Sequence, residues 1–180
     1  MVIRLALLGI LVSASSLRAQ SPSEPPSEYA VKAAFIYNFA KFVEWEPGEL
    51  EKHGEFVIGM LGDDPFGNVL EHALENKTVG EYPISVRRYS TLDEAREAQI
   101  LYVPASREQE LSSLHSRLRG NSVLTVSDTP GFAERGVMIN FFITRDDKVR
   151  FEVNLTEAES CGLRLSSQLL KLATIVKPRS

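Results

Sequence analysis

The chain has 180 residues, and its 24 acidic side chains outnumber 20 basic ones, for a formal net charge of −4. An acidic chain with no basic tail makes a poor nucleic-acid binder, and a single cysteine, Cys161, excludes an internal disulfide. A hydrophobic fraction of 43% is ordinary for a globular protein, so the length supports one domain with a packed core.

The first residues read as an export signal. One charge at Arg4 precedes the apolar run Leu5 to Val12, and small and polar residues lead out through Ala14 to Ala19. That order marks a secretory signal peptide over 1–19, cut after Ala19 or after Ala14. The run is too short to span a bilayer. Its removal takes away Arg4 and Arg18 and moves the formal charge from −4 to −6. Residues 20–27 carry three prolines and no apolar anchor, which predicts a flexible leader. The domain is expected over 28–177, with no later segment apolar enough to cross a membrane.

From Glu28 to Val43 apolar residues recur at helical spacing on two stripes, with Lys32, Asn38 and Lys41 the strongly polar exceptions. A helix apolar nearly all round is buried on several sides or covered by a partner. Trp45 and Pro47 end it. Phe56 to Leu61 suits a buried parallel strand, and a helix follows from about Phe66 to Leu74. Ile84–Tyr89, Ile100–Val103 and Ser122–Val126 read as strands, with an amphipathic helix over Glu108–Leu118. This alternation predicts an α/β fold with a Rossmann-like, mostly parallel sheet flanked by helices. Met138–Ile143 and Val149–Val153, split by a turn-rich stretch, predict a C-terminal antiparallel hairpin. A short helix from Thr156 stops near Gly162. A last helix, capped by Ser166, is expected to bury Leu169, Leu172, Ala173 and Val176, with Leu170 at least partly covered.

No sequence motif promises catalysis. Gly62-Asp63-Asp64-Pro65-Phe66-Gly67 sits where a strand meets a helix, but two carboxylates repel phosphate, and a capped turn explains the pattern as well. Asp128-Thr129-Pro130-Gly131 imitates a GTPase loop without the phosphate cradle such chemistry requires. His53, His72 and His115 show no ligand spacing, so no metal and no cofactor is expected. Cys161 reads as a small buried hydrophobe. Open parallel sheets bind ligands beyond their strand carboxyl ends, which makes Asp63, Asp64, Ser106, Asp128 and Phe132 candidate ligand-edge residues. Asn140 lies within an apolar strand and needs polar partners, for which Arg150, Glu152 and Asn154 on the next strand are placed. That group is either a structural network or a ligand contact.

Several stretches, taken in order, resemble the YfiR-like periplasmic proteins. They are 31–45 (VKAAFIYNFAKFVEW), 58–67 (IGMLGDDPFG), 123–132 (VLTVSDTPGF), 136–141, 149–155 (VRFEVNL) and 162–173 (GLRLSSQLLKLA). The resemblance implies a non-enzymatic periplasmic regulator that binds the periplasmic part of a membrane-bound diguanylate cyclase, represses it, and so lowers cyclic di-GMP and biofilm growth. It also implies a homodimer. Relatives carry cysteine pairs as redox-linked staples, and the lone Cys161 departs from that pattern. Phe39, Phe42 and Trp45 are the candidate partner contacts, since large aromatics anchor interfaces. Their alternative role is core. A small-solute-binding or sensory module is the competing reading of the whole chain.

Overall fold

The structure is a computed structural model that describes residues 27–179, apart from 46, 47, 49, 52 and 53. The expected signal peptide, all but the last residue of the leader, and Pro47 and His53 lie outside the described residues.

Helix α1 (Glu28–Phe42) opens on Ser27, whose side chain accepts from the Ala30 N–H. It buries Lys32, Ala33, Ile36, Phe39 and Ala40, a face at helical spacing. The chain then enters the two-residue strand β1 (Val43–Glu44). An eight-stranded sheet follows, built from β2 (Phe56–Leu61), β3 (Thr78–Val79), β4 (Tyr82–Tyr89), β5 (Ile100–Tyr102), β6 (Leu124–Ser127), β7 (Ile139–Ile143), β8 (Val149–Val153) and β10 (Thr174–Ile175). Its order is β10-β8-β7-β6-β5-β2-β4-β3. The central run β7-β6-β5-β2-β4 is parallel throughout, whereas β7–β8 and β3–β4 pair antiparallel. β9 (Arg164–Leu165) pairs with β1 in a separate small ladder.

Side-chain alternation along the central strands divides the core. Phe56, Ile58, Met60, Ile100, Tyr102, Leu124 and Val126 face the larger cluster under α1, α2 (Val69–Leu74) and the C-terminal elements. Val57, Leu61 and Leu101 face a second cluster beneath α3 (Leu111–Leu118). Covered on both faces, these strands are largely apolar, as the unbroken run Phe56–Leu61 shows, although β6 also buries Thr125 and Ser127.

β7 and β8 pair antiparallel across the turn between them and sit within the sheet, between β6 and β10. The end of the chain departs from expectation. α4 (Leu155–Ser160) is capped by Asn154, whose side-chain oxygen accepts from the Glu157 N–H at 3.0 Å. The expected long last helix is only α5 (Ser167–Leu170). Beyond Lys171 the chain extends into β10, which adds in parallel to β8 through Thr174↔Glu152 and Ile175↔Val153. Leu169 is buried and Leu170 half-buried, but Leu172 is 59% exposed. The β-branched pair Thr174-Ile175 favours the extended form, and the open sheet edge supplies the hydrogen bonds a longer helix would have made internally, as in Val176 N–H to Val153 O at 3.0 Å.

Candidate functional site

The parallel strands β2, β5 and β6 end at Leu61, Tyr102 and Ser127, and the loops leaving them gather at one edge of the sheet. Asp128, the first residue after β6, is the hub of that edge. Its Oδ1 accepts from the Tyr102 hydroxyl at 2.5 Å, and its Oδ2 takes the Lys32 ammonium at 2.6 Å and the Tyr29 hydroxyl at 3.4 Å. Lys32 is 3% exposed and also meets Glu28, one helical turn earlier, at 2.5 Å. The Lys32 Nζ lies 4.6 Å from the centre of the Tyr29 ring.

The environment shifts these groups. Burial holds the Tyr102 phenol above its ordinary range, and the hydrogen bond and charge of Asp128 push it the same way. Tyr29 is raised by burial and by the Asp128 charge. Burial works to lower Lys32, but its bonds to Asp128 and Glu28 outweigh that, so the ammonium is held above its usual value. At neutral pH the cluster therefore carries a charged lysine and neutral phenols.

Beside this hub lies an open cleft of about 610 Å³, lined by Glu28, Lys32, Asp128, Asn140, Phe142 and Glu152 among others. Among the described residues, Glu28, Asp128 and Glu152 set three carboxylates against the Lys32 cation there, which gives the cleft acidic character. Asn140 is 1% exposed. Its amide nitrogen donates to Glu152 Oε1 at 3.1 Å and to Phe141 O at 3.3 Å, while its buried Oδ1 has no hydrogen-bond partner among the described residues. A buried acceptor left unpaired is costly, so an ordered water or a bound donor would stabilise it.

Four of the candidate edge residues come together: Asp63, Asp64, Ser106 and Asp128, with Tyr29 and Tyr102, border a neighbouring hollow of about 300 Å³, at which Asp63 and Ser106 are exposed. Asp64 also holds the turn, accepting the Phe66 N–H at 2.9 Å and pairing with Arg88 at 2.5 Å. Phe132 is a correction: it is 1% exposed and packs in the second core cluster, away from the edge. The expected polar network is also smaller. Only Asn140 and Glu152 join; Asn154 serves α4 and Ala133 O, and Arg150 is exposed. Arg150 and Glu152 share a strand face, but only Glu152 lies directly opposite Asn140 in the register.

Of the aromatic candidates, Phe39 is sealed against Phe141 and Phe151, at 5.6 and 5.1 Å between ring centres, and offers nothing to a partner. Phe42 and Trp45 are half-buried, with Trp45 edge-on to Phe56 and its indole N–H donating to Ala40 O at 3.3 Å.

Sequence reasoning missed the partners of Asp128. Lys32 had a signal, because it sits at i−4 and i−7 from Ile36 and Phe39 on the buried stripe. It also missed a second cluster. His115 Nδ1 on α3 lies 2.7 Å from Glu157 Oε1 on α4, and the Cys161 thiol is 3.9 Å from that nitrogen and 3.8 Å from that oxygen. The histidines show no ligand spacing along the sequence, and this cluster forms only because the fold brings residues 42 and 46 positions apart together. Burial, and then the Glu157 charge, push the Cys161 thiol up.

Fold and site together define a small mixed α/β domain with a carboxylate-rich cleft at the carboxyl edge of its sheet. The chain belongs to the YfiR/HmsC-like family, whose sequence pattern matches residues 29–174. That family is associated with regulators of diguanylate cyclases. No curated protein matches the chain. Among solved structures, it is similar to a conserved domain protein from Vibrio cholerae O1 biovar El Tor, with 11% identity and a TM-score of 0.56 over 84% of this chain and 60% of that one. It thus spans about 60% of that protein's length. The likeness is weaker to a ligand-free, open substrate-binding protein with adhesive properties from Clostridium difficile (15% identity, TM-score 0.47, 73% of this chain and 59% of that one). It is also weaker to an ABC domain in complex with L-Trp from Streptococcus pneumoniae (12%, 0.47, 67% and 55%).

Proposed function

We propose that this chain is a non-enzymatic periplasmic regulator that binds the periplasmic sensor part of an inner-membrane diguanylate cyclase and represses it. The observation that carries the reading is the family match across residues 29–174, which takes in α1, the sheet and the C-terminal elements. The export signature expected at 1–19 supports a location on the side of the membrane where such a sensor is exposed. Repression is differential binding: the chain holds the off state of the sensor more tightly than the on state. A coupling of ~1–3 kcal/mol changes the balance by roughly 5- to 150-fold. Half-exposed Phe42 and Trp45 are the assigned contacts, and a homodimer presents them twice. Affinity capture from inner membranes with the tagged chain, followed by mass spectrometry, tests the reading. A cyclase with a periplasmic sensor is the expected catch. Its absence from a membrane that expresses one contradicts the proposal.

The cleft favours a second reading, that of a small-solute module. Asn140 Oδ1, without a partner among the described residues and lining the cleft with Glu28, Asp128 and Glu152, suits a solute bearing an amine, whose N–H groups would meet that acceptor while its charge meets the carboxylates. A rise in melting temperature with polyamines, lost in Glu152→Gln, favours it. No shift at millimolar solute removes it.

A further inference from the structure

We propose that His115, Glu157 and Cys161 form a zinc site with three protein ligands. The three donors come from two elements that meet at the His115–Glu157 contact. His115 lies in the last turn of α3, while Glu157 and Cys161 stand four residues apart in and just after α4, so both project from one side. Their donor atoms all lie within 4.8 Å of one another. A tetrahedral zinc ion with ordinary bond lengths sets nitrogen, oxygen and sulfur ligands roughly 3.3–3.6 Å apart. The separations here are 2.7, 3.8 and 3.9 Å. Receiving the ion therefore means opening the His115–Glu157 contact by about 0.6 Å and drawing the sulfur in by about 0.3 Å. Both movements are within reach of side-chain rotation, since His115 is 43% exposed on its outer side.

The chemistry of the set selects the metal. Thiolate with imidazole suits zinc and copper, whereas calcium and magnesium take oxygen ligands alone. One carboxylate completes a mixed nitrogen, oxygen and sulfur triad of the kind zinc accepts. Leu114, Leu118, Thr125 and Met138 line the same small space, so the three protein ligands leave a fourth position to water or to a partner's side chain. The assignment also gives the lone cysteine a role that needs no second cysteine.

The test uses the purified full-length chain, reduced and stripped with chelator, titrated with Zn²⁺ and, separately, with Co²⁺ as a spectroscopic stand-in. The expected results are one equivalent of zinc, a rise in melting temperature that grows with free zinc, and a sulfur-to-cobalt charge-transfer band. Cys161→Ser should abolish the band. His115→Ala, at a half-exposed position that leaves the fold intact, should weaken zinc binding by at least about tenfold, as loss of one ligand does. Binding of less than half an equivalent to folded wild-type protein overturns the site. So does a cobalt complex without the sulfur band, or equal affinity in wild type and His115→Ala.

Discussion

Lys32 and Asp128 lie 96 residues apart in the chain, yet the Lys32 ammonium sits 2.6 Å from Asp128 Oδ2 with only 3% of the lysine side chain exposed. The pair ties the first helix to the end of β6, at the point where the sheet edge opens into the cleft. A buried ammonium needs such a partner, because breaking a buried pair strands the remaining charge. Asp128→Ala is expected to cost about 3 kcal/mol, at the low end of that range because Glu28 still meets the lysine. Urea denaturation checks this, and Asp128→Ala combined with Lys32→Met should recover part of the loss. A cost under about 0.5 kcal/mol would place the pair among ordinary surface contacts.

The same cluster gives a pH dependence whose sign follows from its shifts. Tyr102, Tyr29 and Lys32 all have folded pKa values raised above their ordinary ones, and Tyr89 is pushed up to about 12 by burial and by its bond to Glu97. The folded state therefore holds these protons more tightly than the unfolded chain does. Their stabilisation is complete below the unfolded values near pH 10 and is lost as pH rises from there through the folded values. Melting temperature should fall steeply above about pH 10, and less steeply in Tyr102→Phe. Identical slopes for the two proteins would remove Tyr102 from the account.

At the C-terminus, Leu169 and Leu172 should behave oppositely. Leu169 is 3% exposed in the main core and Leu172 is 59% exposed. Leu169→Ala is expected to cost ~2–5 kcal/mol, and Leu172→Ala less than about 0.5 kcal/mol. Equal costs by chemical denaturation would restore a longer packed helix through residue 172.

Gly59 is a site of close approach in β2. A Cβ there would stand 2.7 Å from Tyr89 Cε2 and 3.1 Å from Leu101 Cδ1. The Tyr89 ring is pinned by its hydroxyl bond to Glu97 at 3.0 Å, so it yields poorly. Gly59→Ala should therefore destabilise by ~1–3 kcal/mol. A neutral result would mean that the ring moves aside at no cost.

The strands were legible because period and composition act locally. Phe56–Leu61 is apolar at every position, and the amphipathic spacing of Leu111, Leu114 and Leu118 matches the buried face of α3. The end of the chain was not, because Leu172 and Val176 keep helical spacing while an open edge at β8 wins the backbone of Thr174-Ile175. Pattern within a segment carries no information about a vacant strand position elsewhere. The sites fared likewise. Asp128 stood out by its place after a strand, but Lys32 and Tyr102 reach it only through the packing of α1 on the sheet. His115 meets Glu157 across 42 residues, a distance no spacing rule covers. Phe39, chosen as a partner contact for its size, is core for the same reason, since large aromatics also anchor interiors.

Repression of a membrane-bound cyclase is tested most directly by intracellular cyclic di-GMP. In cells that express a diguanylate cyclase with a periplasmic sensor, deletion of this chain should raise the nucleotide. Phe42→Ala or Trp45→Ala, at half-exposed positions, should reproduce that rise with the protein folded and present at its normal level. A level that stays flat on deletion contradicts the regulator account.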